Sequence, residues 1–257
     1  MTPKVTICVL TYGDFLYLAR RAIESIRHHC QRTEYQLVVG ANAVAAETLA
    51  YLQELERLGE IDHLLVSPAN INKCPMMRRM FDVVQTEFIW WFDDDSYITE
   101  PGALSNWLGE AQKAPISTVM WGRLAFCVSE SFTDLDSACH FVRSASWYRG
   151  LPPPSWRPGG KGVFDFQNRG TGDGRWFFPT GGCWLIRTSA VRSLDWPDRR
   201  LVKLADDVFL GEAVRQNGWD MAHISDRRVA ISAERRRGKI GSTLSSSPHA
   251  SAALGVP

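Results

Sequence analysis

Three consecutive aspartates, Asp93, Asp94 and Asp95, follow directly after the apolar run FIWWF. Such a run is typical of a strand buried in a parallel sheet, and open α/β sheets bind ligands at the carboxyl ends of their strands. Adjacent carboxylates repel one another, and a hard divalent cation relieves that repulsion. Mg²⁺ or Mn²⁺ is typically held by one or two carboxylates together with substrate phosphates. The pattern therefore predicts a site for Mn²⁺ or Mg²⁺, with a solvated acidic turn as the simpler alternative.

A second acidic pair, Asp206 and Asp207, stands at the start of ADDVFLGEAVRQNGW, which is predicted to be a helix closed by Gly218. Carboxylates are favoured at a helix N-terminus by capping and by the helix dipole, whether or not they take part in a reaction. A carboxylate in such a place can also take a proton from an attacking hydroxyl group. The residues alone leave both interpretations open.

The segments that must position these carboxylates alternate between apolar strands and amphipathic helices. Strands are predicted over VTICVL, YQLVVG, IDHLLV and FIWWF. Helices are predicted between them, the first with Asp14 as its N-cap and the second over residues 45–58. Fully apolar strands joined by helices form a parallel, buried sheet. We therefore predict an α/β protein with a Rossmann-like, mostly parallel central sheet and helices on both faces.

The second half of the chain is predicted to contain fewer regular elements. A helix begins near Pro101, a strand covers GGCWLIR, and two short strands follow the acidic helix. Residues 143–176 combine proline, glycine, tryptophan and arginine, which is typical of a long functional loop and makes this segment a candidate mobile lid. Residues 241–257 contain little to bury and are predicted to be a disordered tail. Residues 1–240 form a single domain in this interpretation.

Composition argues against several classes of function. The 29 Lys and Arg residues against 28 Asp and Glu residues give a net charge of +1, so the chain lacks the positive field of a dedicated duplex-nucleic-acid binder. Its six cysteines contain no CxxC pair, which argues against a zinc knuckle or a redox motif. No apolar run reaches the ~18 residues of a membrane span, and no signal peptide is recognisable. The sequence thus predicts a cytoplasmic protein without a transmembrane segment and leaves its oligomeric state open.

Four motifs occur in the order found in the inverting glycosyltransferases of family 2, which have the GT-A fold. VTICVLTYGDFLYLARRAIESI resembles the first strand and helix of that family, and FIWWFDDDSYI resembles the strand that carries its DxD metal motif. TGGCWLIRTSAV resembles the acceptor-side glycine segment, and ADDVFLGEAVRQNGW resembles the ED motif. The resemblance implies a donor-binding half over residues 1–100 and a small acceptor-side half over 101–240. It also implies transfer of a sugar from a nucleoside-diphosphate sugar, with UDP-sugar as the expected donor.

The same resemblance implies catalytic and metal-binding residues. Asp207 corresponds to the family's catalytic base, with Asp206 beside it, and Asp93 and Asp95 correspond to the metal ligands. Many members of the fold complete the metal shell with a late histidine, for which His223 is the nearest residue here. A single histidine in a strand is more often a structural residue than a ligand.

Donor contacts are implied in three regions. The loop after the first strand assigns Thr11 and Tyr12 to the nucleotide base. Asn42 stands near the position where the family usually has an acidic residue, and its amide can both donate and accept hydrogen bonds to a pyrimidine. Arg78 and Arg79 precede the metal strand and offer guanidinium groups suited to phosphate, although arginines on a helix are more often solvated. The remaining implied donor contacts are Asp93, Asp94, Gly181 and Gly182.

Two other functions remain alternatives. A nucleotidyltransferase would use the same sheet edge, but such enzymes often begin with a glycine-rich phosphate loop, whereas TYGDF follows the first strand here. A noncatalytic nucleotide-sugar-binding protein of the same fold would bind the donor without turning it over. The sequence does not distinguish among acceptors, because the loop over 143–176 suits a glycan, a small molecule, a peptide or a modified nucleic acid.

Overall fold

The computed structural model describes residues 3–127, 135–151, 162–163, 176–202 and 206–232. Most of the predicted loop over 143–176 and the whole predicted tail over 241–257 lie outside the described residues. The division of the chain into one domain with two halves therefore stays a prediction. In the part of the chain that is described, no helix has both the length and the apolar character needed to cross a membrane.

Strands and helices alternate through the first part of the chain, as predicted. The strands are β1 (Val5–Gly13), β2 (Tyr35–Val44), β3 (His63–Ser67) and β4 (Phe88–Asp93), and the helices are α1 (Leu16–His29), α2 (Ala46–Arg57) and α3 (Lys73–Asp82). Almost all side chains of β1, β2 and β4 are buried, which is why these segments are apolar throughout. Helix α1 has Phe15 as its N-cap and no side-chain cap, so the predicted cap, Asp14, lies one residue too early.

The remaining elements complete a mixed, mostly parallel sheet. They are β5 (Ser96–Ile98), α4 (Ala103–Lys113), β6 (Thr118–Cys127), α5 (Leu135–Arg143), β7 (Gly162–Val163), β8 (Trp176–Arg187), α6 (Thr188–Leu194), α7 (Asp206–Gln216), β9 (Asp220–His223) and β10 (Val229–Ile231). The order across the main sheet is β3-β2-β1-β4-β8-β6-β7, and β9 pairs with β6. Strand β8 runs antiparallel to both β4 and β6, whereas β10 pairs with β5 in a separate small sheet. The predicted α/β sheet is confirmed.

Strand β4 is fixed by apolar packing on both of its faces. Successive side chains of a strand point to opposite faces of the sheet. Trp91 accordingly belongs to the core shared with α3, α5 and α7, where it stacks on Trp184 with ring centres 5.8 Å apart. Trp90 belongs to the core on the other face, shared with α1, α2 and α4. Because both tryptophans are fully buried, the carboxylates at the end of β4 start from a rigid base.

Part of the predicted mobile loop belongs to this packed structure. Trp147 is 1% exposed, and its indole nitrogen donates a hydrogen bond of 3.1 Å to the carboxylate of Asp198. The side-chain oxygen of Gln216 accepts hydrogen bonds from the backbone nitrogens of Arg149 and Leu151. Later in the same segment, β7 pairs with β6, and β8 begins at the end of the segment. The loop-like composition of residues 143–176 therefore did not reveal that the segment contains a core tryptophan and two strand segments.

Candidate active site

The carboxyl ends of β1, β2 and β4 meet at one edge of the main sheet. Asp93 ends β4, and Tyr12 of β1 pairs with Asn42 of β2 at the same edge. Because β8 runs antiparallel to β4, Gly182 also lies at this edge and close to Asp93. Residues that are far apart in sequence are thus gathered where open α/β sheets bind ligands.

Helix α7 lies close against β8, and this contact brings the second acidic motif to the same edge. A Cβ atom on Gly211 would overlap the carbonyl group of Phe177, so a glycine is required for the two elements to approach. Asp206 is the first residue of α7 and is buried. The helix N-terminus itself favours a carboxylate there, but the fold also places this one beside a cation.

That cation is Lys73, the first residue of α3, which connects the two acidic motifs. Its Nζ lies 3.3 Å from Oδ1 of Asp93 and 3.1 Å from Oδ2 of Asp206, and 5.9 Å from the centre of the Trp91 ring. Burial lowers the pKa of Lys73, but the charges of the nearby carboxylates, first Asp206 and then Asp93, outweigh burial and raise it overall. Lys73 is therefore a permanent positive charge within the acidic cluster.

Asp93 is held from one side. Its Oδ1 accepts a hydrogen bond of 3.0 Å from the indole nitrogen of Trp91. On the β8 side, a Cβ atom on Gly182 would lie 2.9 Å from Oδ2 of Asp93, and the φ of Gly182 is +62°. Glycine is thus required at position 182 both for its backbone conformation and for the space that the carboxylate takes. The Asp93 side chain is 27% exposed, so it can still be reached by a ligand.

Asp207 has an environment different from that of Asp206. Burial and the charge of Asp206 raise the pKa of Asp207 to about 7, although Lys73 opposes this effect. Its Oδ1 accepts a hydrogen bond of 2.9 Å from the backbone nitrogen of Val208. The side chain is half-buried. A carboxyl group with a pKa near neutral pH can accept a proton as a general base and release it again.

Asn42, predicted to contact the donor base, is already engaged inside the protein. It is 3% exposed. Its Nδ2 donates to Oδ1 of Asn70 at 3.1 Å and to the carbonyl oxygen of Asn72 at 3.3 Å. Its Oδ1 accepts from the backbone nitrogen of Ile71 at 2.9 Å. Both ends of this amide therefore hold the loop before α3, and its contact with the donor base stays a prediction.

Thr11 and Tyr12 differ in how accessible they are. The hydroxyl group of Thr11 is buried and donates a hydrogen bond of 3.1 Å to the carbonyl oxygen of Gly40, so this side chain holds β1 to β2. Tyr12 is half-buried at the sheet edge, and its ring packs edge-on against Phe15 with centres 5.7 Å apart. Of the two predicted base contacts in this loop, the structure leaves only the tyrosine ring at a place that a ligand can reach.

The two predicted phosphate-binding arginines do not join the carboxylates. Arg78 donates from Nη1 to Oδ1 of Asp195 at 2.7 Å and from Nη2 to the carbonyl oxygens of Asp195 and Pro197. This guanidinium fork therefore holds α3 to the turn after α6. Arg79 is exposed. Both Nη groups of Arg78 are thus engaged away from the carboxylates, and a phosphate contact by either arginine stays a prediction.

His223 is also separated from the acidic triplet. It ends β9, and strands β6 and β8 lie between β9 and β4. At about 4.8 Å per strand, that separation is ~14 Å. Its Nδ1 accepts a hydrogen bond of 3.2 Å from the backbone nitrogen of Leu124, and burial, followed by the charge of Arg123, lowers its pKa. His223 is thus a structural residue of the sheet and not a partner of Asp93.

Ser232, unlike His223, lies against the acidic triplet. The pairing of β10 with β5 brings Ser232 to Asp95, whose carbonyl oxygen accepts a hydrogen bond of 2.7 Å from the Ser232 backbone nitrogen. Asp94 is buried and Asp95 is half-buried. Asp93 and Asp95 are therefore more exposed than Asp94.

These residues suit a divalent cation that is shared with a ligand. All the available donors are carboxylate oxygens, the type that Mg²⁺ and Mn²⁺ prefer. Among the residues that the structure describes, no three His, Cys, Asp or Glu side chains form a metal-holding group on their own. A cation at this site would therefore need two carboxylates and the phosphate oxygens of a ligand. Asp93 and Asp95 are the accessible pair of carboxylates.

Two residues of this site carry little signal in the sequence. The sequence marks Lys73 only weakly, because a single lysine in a polar loop carries no recognisable pattern. Gly211 lies in the middle of a helix, where glycine is unfavourable by about 1 kcal/mol relative to alanine. A glycine tolerated at that cost is a signal of close packing, and here it marks the contact with β8.

We call the sheet edge that carries Asp93, Asp95, Asp206 and Asp207 the acidic edge. Together with the sheet order and the antiparallel β8, it defines an α/β protein of the GT-A class, and solved structures of similar fold support this. A mannosyltransferase from Pyrobaculum calidifontis, PcManGT in complex with GDP-Man and Mn2+, is 15% identical with a TM-score of 0.60, over 93% of this chain and 59% of that one. S. aureus TarS in complex with UDP-GlcNAc is 14% identical with a TM-score of 0.54, over 88% and 57% respectively. The chain thus spans less than two thirds of the length of these proteins.

Family membership follows from the sequence profile. The profile described as glycosyl transferase family 2 matches residues 6–195, which is more than half of the chain. The chain belongs to glycosyltransferase family 2. No curated protein sequence matches it significantly.

Proposed function

We propose that this chain transfers a glycosyl group from a nucleoside-diphosphate sugar to an acceptor hydroxyl group, with inversion at the anomeric carbon. One observation carries the proposal: Asp207, whose pKa is about 7, stands beside Asp206, which Lys73 links directly to Asp93. A base for the acceptor and a carboxylate for the donor end thus share one edge of the sheet.

In the proposed reaction, Asp207 takes the proton of the acceptor hydroxyl group. The acceptor oxygen forms a bond to the anomeric carbon from the face opposite the diphosphate, and the bond from that carbon to the diphosphate oxygen breaks with its electron pair. The raised pKa of Asp207 matches this role, because a stronger base at neutral pH gives a better driving force for proton transfer. Asp206 keeps its ion pair with Lys73.

Asp93 and Asp95 are the residues that we propose to hold Mn²⁺ or Mg²⁺. When bound, the cation would act as a Lewis acid that stabilises the charge of the departing diphosphate. Asp93 is oriented for this by the indole nitrogen of Trp91 and by the space beside Gly182. The bound Mn2+ of PcManGT, a protein of similar fold, supports a divalent cation without deciding between manganese and magnesium.

The donor that we propose is a UDP-sugar, bound with its base near Tyr12. An aromatic ring stacks on any base, so the tyrosine alone selects weakly. The complexes with GDP-Man and with UDP-GlcNAc in proteins of similar fold make both bases worth testing. Our preference for uracil rests on the family resemblance of the loop that contains Thr11 and Tyr12.

A donor screen tests the proposal before any acceptor is known. Hydrolysis of UDP-, GDP- and TDP-sugars is measured with Mn²⁺, with Mg²⁺ and with chelator. We expect metal-dependent hydrolysis of UDP-sugars that is lost in Asp207→Asn and kept in Asp220→Asn, a matched variant at an exposed position of β9. Hydrolysis of GDP-sugars alone would overturn the choice of uracil. Undiminished turnover in Asp207→Asn would overturn the assignment of the base, and donor binding without any turnover would favour the noncatalytic alternative.

A further inference from the structure

The loop before α3 is built around the Asn42 amide. Asn42 accepts a hydrogen bond from the loop backbone at Ile71 and donates to both Asn70 and Asn72. Oδ1 of Asn70 also accepts a hydrogen bond of 2.8 Å from the backbone nitrogen of Asn72. All three loop residues are therefore tied to one buried side chain of β2.

This arrangement fixes the point at which α3 starts. Asn72 is the N-cap of α3 and has a φ of +71°, a conformation that asparagine adopts more readily than most residues. Lys73 follows as the first residue of the helix. The backbone nitrogen of Cys74 then donates to the carbonyl oxygen of Val202, a few residues before α7. The Asn42 side chain thus sets the direction in which Lys73 leaves the loop.

The position of the Lys73 ammonium group matters for the charges at the site. It contacts Asp93 and Asp206 at 3.3 and 3.1 Å. Its positive charge offsets the repulsion between these two carboxylates, which would otherwise oppose the approach of α7 to β4. The geometry of the acidic edge therefore depends on a loop that touches neither acidic motif.

We infer that Asn42 is a positioning residue that acts through Lys73, and that it does not read the donor base. The inference rests on the proposed function for its kinetic consequence. Its structural basis is independent of that function: a buried amide with partners at both ends, a loop folded around it, and an ammonium group held between two carboxylates. Asn42 then affects the rate with every donor equally, because it acts on the acidic edge and not on the base.

The test is a double-mutant cycle with Asn42→Ala, Lys73→Met and the double variant, assayed by hydrolysis of UDP- and GDP-sugars. We expect Asn42→Ala to lower kcat on the order of tenfold for each donor, since small displacements of reacting groups cost at least that much. The ratio of KM values for the two donors stays unchanged. In the Lys73→Met background, Asn42→Ala has no further effect on kcat.

Two further variants keep the test decisive. Asn70→Ala removes, at an exposed position, the oxygen that accepts from both Asn42 and Asn72, so it should lower kcat in the same direction even if Asn42→Ala folds poorly. Asn217→Ala is the matched control, because its Nδ2 also donates to two carbonyl oxygens, but at the far end of α7. We expect Asn217→Ala to keep the kcat of the wild type.

Two outcomes overturn the inference. One is a changed preference between UDP and GDP in Asn42→Ala, which would make Asn42 a reader of the base. The other is an undiminished effect of Asn42→Ala in the Lys73→Met background. If the wild type turns over no donor, the proposed function fails first, and the cycle is then measured on thermal unfolding. Non-additive shifts in Tm support the inference in that case, and additive shifts overturn it.

Discussion

The substitution Asp207→Asn removes the charge of the proposed base while keeping the shape of its side chain. Burial and the neighbouring charge of Asp206 raise the pKa of Asp207 from an ordinary value of 3.8 to about 7. In the unfolded chain the carboxyl group returns to its ordinary value, so between about pH 4 and pH 7 the folded state binds more protons than the unfolded state. The contribution of Asp207 to the stability of the folded protein therefore falls as the pH rises through this window.

The size of this loss follows from the pKa difference. At 1.36 kcal/mol per pKa unit, the change from 3.8 to about 7 corresponds to about 4 kcal/mol as an upper bound. Because the Asp207 side chain keeps some contact with solvent, we expect about 1–2 kcal/mol to be measurable. Asp207→Asn lacks this penalty, so it should be more stable than the wild type at pH 8 by that amount, and little different near pH 4.

Urea unfolding in the presence of chelator measures the difference at pH 4.5, 6 and 8. Asp220→Asn, at an exposed position, controls for the loss of one negative charge. The variant at 207 should gain stability over the wild type with rising pH and level off above about pH 7, while its turnover is lost. A stability advantage that shrinks with rising pH would refute the reasoning, because it would mean that the folded protein stabilises the ionised carboxylate.

Further predictions concern the metal, the pH dependence and two packed residues. Removal of divalent cations with a chelator should abolish donor hydrolysis, and Mn²⁺ or Mg²⁺ should restore it in the wild type but not in Asp93→Ala, as measured by release of nucleoside diphosphate. The value of kcat/KM should fall about tenfold per pH unit below about pH 7, since Asp207 must be deprotonated to act; a flat profile from pH 5 to 8 would contradict this. Gly182→Ala should destabilise the fold by about 1–3 kcal/mol in urea unfolding because of its φ of +62° and the approach to Asp93. Trp147→Ala should cost about 3–5 kcal/mol in the same assay, whereas a cost below 1 kcal/mol would mean that Trp147 lies in a mobile loop after all.

The sheet and its acidic edge were predictable because their signals are local. A strand buried on both faces must be apolar throughout, so FIWWF identified β4 and fixed the place of Asp93 with few assumptions. The start of α7 was similarly marked by an acidic pair, and its end by Gly218, which has a φ of +68°. In each case the residues that determine the structure are neighbours in the chain.

What could not be predicted depends on contacts between distant residues. Arg78 was expected at a phosphate, but its partner Asp195 is 117 residues away, and no local pattern announces that pairing. Asn42 was expected to read a base because it stands near the position where the family usually has an acidic residue. Its amide instead turns toward a loop that is nearly 30 residues further along the chain. Polar side chains near the ends of strands have several possible partners, and only the folded loops decide among them.

The two carboxylates at the start of α7 show how a contact with a distant loop can give two similar side chains different chemical properties. Both residues share the same helix dipole and are neighbours in sequence, so neither local propensity nor charge pattern separates them. They differ because the Lys73 ammonium group lies 3.1 Å from Asp206, while in the described part of the chain Asp207 forms no ion pair of its own. Asp206 is thereby fixed as a charge partner, and its charge, together with burial, raises the pKa of Asp207. Our proposal of Asp207 as the base thus rests on where the loop before α3 places one lysine. A loop that directed Lys73 to Asp207 instead would lower the pKa of Asp207 and remove the property that suits it to accept a proton.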